Sequence, residues 1–143
     1  MSTEENKVLV HRFFEEVWGK GNLAVADELL GTNFVFNYGP PGVAPDLKGY
    51  KQWVNMTCAG LADRQSTVED QIAEGDKVVT RWTYRGTHKS ELMGIAPTGK
   101  QVTVTGICID RIVGGKIAEE WGEMDNLGMM QQLGVVPSPG QGE

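Results

Sequence analysis

This chain of 143 residues is short of histidine, with His11 and His88 only, and of cysteine, with Cys58 and Cys108 alone. Without a C-x-x-C, a His-x-x-x-His or a carboxylate loop, neither a zinc site nor a metal-dependent chemistry is expected. Positive charge is also scarce, since 13 Lys and Arg stand against 19 Asp and Glu for a net charge of −6. Such a balance leaves little field to hold phosphates, so no nucleic-acid partner is expected. Long apolar runs are missing as well, and Met1-Ser2-Thr3-Glu4-Glu5 has neither a basic nor an apolar leader region. The expectation is a cytoplasmic protein with no membrane partner.

What is present matches one globular domain, expected over residues 1–135, with a flexible tail over 136–143 rich in Pro and Gly. Val10, Phe13, Phe14, Val17 and Trp18 recur at helical spacing behind a Ser2/Thr3 cap and Glu5. Gly19 and Gly21 end that helix, Asn22 caps a second carrying Leu23, Ala26 and Leu30 up to Gly31, and Asp46 caps a third through Leu61. Asn33 to Asn37 reads as a short strand before the rigid Gly39-Pro40-Pro41-Gly42 loop. The second half changes period: strands over 66–74 and 77–87 flank Gly75-Asp76, and strands over 101–112 and 116–124 flank Gly114-Gly115. Asn126 to Gly134 reads as a terminal helix. Three helices followed by antiparallel strands specify an α+β fold whose sheet packs against the helices. The long connection from His88 to Lys100, with Met93 in it, is placed to border a binding site.

The last strand carries the candidate chemistry. Simple alternation puts Ile117, Glu119, Trp121, Glu123 and Asp125 on one face. Same-face neighbours lie ~6.6 Å apart, near enough for one anion to raise another's pKa in a pocket. Asp125 therefore has two readings, a general base beside Trp121 or the N-cap of the following helix, and the two shift its pKa in opposite directions. His88 is either a hydrogen-bond donor to a ligand or a brace for the loop. Arg81, inside an apolar strand, is expected to pair with Glu119 or Glu123, or else to clamp an acidic or carbonyl-bearing ligand. Phe14, Trp18, Tyr38, Trp53, Trp82 and Met93 offer surface for an apolar cavity, although each taken singly is more often core. No nucleophile elbow or Ser-His-Asp spacing is visible.

Arg85-Gly86-Thr87-His88, Met93 to Lys100, Gly115 to Trp121, and Asp125 with Leu127-Gly128 and Gln132-Leu133-Gly134 together resemble the SnoaL-like polyketide cyclases, or ester cyclases, of the nuclear transport factor 2-like superfamily. The resemblance extends to the opening Phe13-Phe14 helix and to Asn22 through Leu30. It implies a cone-shaped α+β barrel with a curved, mostly antiparallel sheet, an apolar pocket and a homodimer. It also implies aldol cyclisation of a hydrophobic carbonyl substrate without a cofactor, with an Asp as acid and base. Carried over by motif, that Asp is Asp125 and the pocket His is His88, with Trp121 and Glu119 beside them; Lys89 and Ser90 follow the His where the family often has Gly. The superfamily also holds hydrolases and proteins without a known reaction, so an epoxide or ester hydrolase using pocket carboxylates and a non-catalytic binder of a hydrophobic molecule remain alternatives.

Overall fold

The fold is that of a computed structural model, which describes residues 2–137. The expected tail over 136–143 thus falls outside the described residues from 138 onward. Helix α1 (Thr3–Phe13) opens on a full capping box: Ser2 Oγ accepts from Glu5 N at 3.1 Å and Glu5 accepts from Ser2 N at 3.2 Å. It continues into a π-helical turn, Phe14–Gly19, which the helical spacing does not reveal. Helix α2 (Leu23–Leu29) starts at the Asn22 cap, and α3 (Leu47–Gly60) at Asp46, whose carboxylate accepts from Gly49 N at 2.9 Å.

Five strands follow the order β1-β5-β4-β3-β2, with β1 Leu30–Phe36, β2 Leu61–Glu74, β3 Lys77–His88, β4 Gln101–Val113 and β5 Lys116–Met124. The sheet is curved and unclosed, and β2 carries register shifts between Ala62 and Gln65 and between Val68 and Asp70, irregularities of the kind that bend a strand. One expectation is corrected here. Leu30 is the first residue of β1 rather than the end of the second helix, because it is almost wholly buried and pairs with Ile117. The sheet is mostly antiparallel as expected, with β1 alone running parallel to its neighbour β5.

A third register shift decides the site. Arg111 pairs with Glu119 and Ile112 pairs with Ile117, so Ala118 stands unopposed. This bulge resets the alternation of β5 in its middle. Ile117 is buried, and from there onward Glu120, Gly122 and Met124 face the helices.

Helix α4 (Asn126–Leu133) ends at Gly134 in the left-handed region, φ 82°. It is tied to β4 where β5 has run out: Thr103 N donates to Gln132 Oε1 at 2.7 Å and Gln132 Nε2 donates to Thr103 O at 2.8 Å. No described helix is long and apolar enough to cross a membrane.

Candidate functional site

Between the helices and the inner face of the sheet lies a cavity of about 300 Å³. Phe14 and Trp18 reach it from the π-helical turn, Trp53 from α3, Trp82 and Tyr84 from β3, and Met124, Met129 and Met130 from the end of β5 and α4. Tyr38, Pro40 and Pro41 close it from the loop after β1, and Met93 from the loop after β3. The rings pack edge to face, Trp18 on Trp53 at 5.0 Å and Tyr38 on Trp53 at 5.1 Å between centroids. Among the described lining residues none carries a charged side chain. The surface suits an apolar, ring-bearing guest.

Tyr38 reaches its position because β5 has no side chain beneath it. A Cβ on Gly122 would lie 2.8 Å from the Tyr38 ring, so any other residue there would displace it. Behind the ring is a buried polar cluster. The Tyr38 hydroxyl lies 2.5 Å and the Tyr50 hydroxyl 2.9 Å from the same oxygen, Glu120 Oε1.

Proton directions in this cluster follow from its two ends, because an indole N–H can only donate. Trp18 Nε1 donates to the Tyr50 hydroxyl at 2.8 Å, which leaves the Tyr50 proton for Glu120. Trp82 Nε1 donates to Cys108 Sγ at 3.3 Å, the thiol donates to the Tyr38 hydroxyl at 3.4 Å, and the Tyr38 proton is left for Glu120. Two chains of donors converge on one carboxylate oxygen.

Asp110 faces Glu120 directly across the β4–β5 ladder, and both are fully buried. Both Asp110 oxygens and Glu120 Oε2 fall outside hydrogen-bonding geometry with any described group. The ladder nevertheless holds the two carboxyls close enough for each to perturb the other. Burial drives the Asp110 pKa well above the ordinary carboxyl range, and the Glu120 charge drives it further. Burial also raises Glu120, but the neighbouring Asp110 carboxyl and the hydrogen bonds from the Tyr38 and Tyr50 hydroxyls oppose the rise. The proton of the pair therefore sits on Asp110 and the charge on Glu120. Burial raises both tyrosines and the Cys108 thiol, which keeps all three as donors.

The residues singled out from the sequence separate into two groups. Phe14, Trp18, Tyr38, Trp53, Trp82 and Met93 come together in the cavity wall. The carboxylates expected beside them do not. Glu119, Trp121 and Glu123 lie on the outer face of β5, because the bulge at Ala118 inverts the expected pattern. Asp125 is exposed, and its carboxylate caps α4 by accepting from Gly128 N at 2.8 Å. Its neighbours Met124 and Asn126 line the cavity while Asp125 does not, which corrects the expectation of an inward-facing base.

His88 is wholly buried but absent from the lining. Thr98 N donates to its Nδ1 at 3.2 Å, so Nε2 carries the proton and donates to Ile95 O at 3.2 Å. With His88 N donating to Lys100 O and Gly99 N to His88 O, the residue braces the loop. Arg81 is exposed and makes no ion pair among the described residues. Glu119 pairs instead with Arg111, adjacent across the ladder, at 3.1 Å.

Glu120 and Asp110 were missed by sequence reasoning. The available signal was the alternation of Ile107-Cys108-Ile109-Asp110-Arg111-Ile112, which sets Asp110 on one face with the apolar Cys108 and Ile112.

No curated protein matches the chain in sequence. Among solved structures, TsrD from Streptomyces laurentii superposes with a TM-score of 0.86 at 27% identity, covering 95% of this chain and 99% of that one. IdmH from Streptomyces antibioticus, a candidate polyketide cyclase, gives 0.78 at 32% identity, with 90% and 98% covered. AclR from Streptomyces galilaeus, a candidate hydroxylase, gives 0.83 at 26%, with 95% and 100% covered. The neighbours share the nuclear transport factor 2-like fold. The sequence profile of the SnoaL-like polyketide cyclases matches residues 8–133, from α1 through the cavity wall to the end of α4. The chain belongs to that family.

Proposed function

We propose that this protein takes an apolar carbonyl compound into the aromatic cavity and promotes cofactor-free enolate chemistry there, an intramolecular aldol closure or a related proton transfer. The observation that carries the reading is the cavity itself: about 300 Å³, walled by aromatic and methionine side chains. Such walls fold a flexible apolar chain and exclude water, and holding two reacting carbons together supplies a large part of an aldol barrier. The likeness to IdmH supports the same substrate chemistry. Hydrolysis by Glu119, Glu123 and Asp125 has no support from their placement outside the lining. A binding role without turnover is the second reading, favoured by the lack of a charged side chain among the described lining residues.

The test uses an aryl 1,5-diketone, 1-phenylhexane-1,5-dione, whose ring closure with loss of water gives a strongly absorbing cyclohexenone. Trp18, Trp53 and Trp82 in the wall make intrinsic fluorescence a binding signal. Saturable quenching and accelerated enone formation are expected, with both lost when Val104→Phe fills the cavity. Quenching without enone formation selects the binding role, and absence of saturable quenching rejects the reading altogether.

A further inference from the structure

We propose that Tyr38 and Glu120 form a proton-accepting relay in the cavity wall, in which Tyr38 takes a proton from an acidified C–H of the bound compound while passing its own to Glu120. The inference rests on the cavity being the binding site. Among the described lining residues, Tyr38 is the one bonded directly to Glu120.

The orientation of the cluster favours acceptance. Because the tryptophan N–H groups at the ends of both chains can only donate, every intervening proton points toward Glu120 Oε1. Tyr38 lines the cavity, and the hydrogen of its hydroxyl is already committed to Glu120, 2.5 Å away behind the ring. A proton arriving at that oxygen needs only a short shift of the existing one. The balance is closed: the C–H bond breaks, its electron pair stays on the substrate as an enolate, an O–H forms on Tyr38, and the displaced proton forms an O–H on Glu120. Reversal delivers a proton to the alkoxide of the new aldol.

Asp110 acts through Glu120 as a positioning residue. It carries the proton of the buried pair and leaves its neighbour ionised inside an apolar interior, where burial makes that carboxylate a stronger base than a solvated one. The groups facing Glu120 are Asp110 and Cys108 from β4, Tyr50 from α3 and Tyr38 from the loop, while its β1 neighbour is Phe36. No cation faces it. A solvated carboxylate would not need these surroundings.

The probe is 2-tetralone, a fused-ring ketone with acidified α-protons, in D2O. Binding is read by tryptophan quenching and α-deuteration by NMR. The expected result is saturable binding with exchange faster than in buffer, falling as pH drops and Glu120 takes up a proton. Tyr38→Phe and Glu120→Gln are expected to bind the ketone and to lose on the order of 10²-fold or more of the exchange. Asp125→Asn should exchange at the parent rate. Exchange retained in either relay variant, or binding without exchange in the parent, overturns the relay while leaving the binding reading intact; no binding overturns the binding reading instead. Should Glu120→Gln fail to fold, Asp110→Asn serves: the pH at which exchange falls is expected to move, and an unmoved profile overturns the relay.

Discussion

Glu120 and Asp125 belong to one short stretch of chain, yet they occupy opposite kinds of place. Glu120 lies under the cavity wall, fully buried, with two tyrosine hydroxyls on one oxygen and a second carboxyl across the ladder. Asp125 lies past the end of β5, exposed to solvent and occupied by a main-chain amide. The first is costly to bury and gains nothing as a cap; the second stabilises a helix end and has no contact with the cavity. The difference teaches that the chemistry of an acid in this fold is set by which face of the strand it lands on, and a single bulge decides that.

The comparison is broken most forcefully at the inner carboxyl. Removing both donors with the double variant Tyr38→Phe/Tyr50→Phe strips Glu120 Oε1 of its hydrogen bonds, and denaturant melts are expected to show a loss of about 3 kcal/mol or more. A double variant as stable as the parent would mean that Glu120 carries no charge.

A smaller effect concerns pH. The carboxyl pair has folded-state pKa values above the ordinary carboxyl values of 3.8 and 4.5, so the folded chain holds its proton more tightly than the unfolded chain. The contribution of the pair is then fully present below the unfolded values and is lost as pH rises through the folded ones, at ~1.4 kcal/mol per unit of separation. Asp110→Asn cannot ionise, so its stability relative to the parent is expected to increase with pH across that window. A constant offset between the two melting curves would show that Asp110 titrates normally.

The smallest effect lies at the rim. Asp125→Ala should cost about 1 kcal/mol in a thermal or denaturant melt, with exchange protection lost first in α4. Cavity binding should be unaffected, since Asp125 does not line the wall.

Much of this architecture can be read from residue order. Ser2 with Glu5, Asn22, Asp46 and Asp125 each cap a helix as their side-chain chemistry dictates, and Gly75-Asp76 and Gly114-Gly115 turn their hairpins. These are local devices, with cause and effect a few residues apart. The aromatic wall was legible for a similar reason, because Phe14, Trp18 and Trp53 sit on apolar helix faces. The buried acids were not legible, because alternation along β5 is valid only while no residue is skipped. Glu119 and Glu120 are indistinguishable until Ala118 is left unpaired, and that depends on β4 in register opposite. The parallel pairing of β1 with β5 is likewise a decision made between distant segments. His88 divides differently: its loop-bracing alternative followed from position, whereas its Nε2 proton depends on where Thr98 N falls.

The reciprocal bonds between Gln132 and Thr103 fasten α4 to the edge of β4. One amide side chain imitates the strand residue that β5 no longer supplies, on the helix that brings Met129 and Met130 into the cavity wall. Methionines are the most adaptable of apolar side chains. The same fastening therefore gives the chamber one wall that is soft in shape yet indexed to the backbone of β4, while its aromatic sides stay rigid.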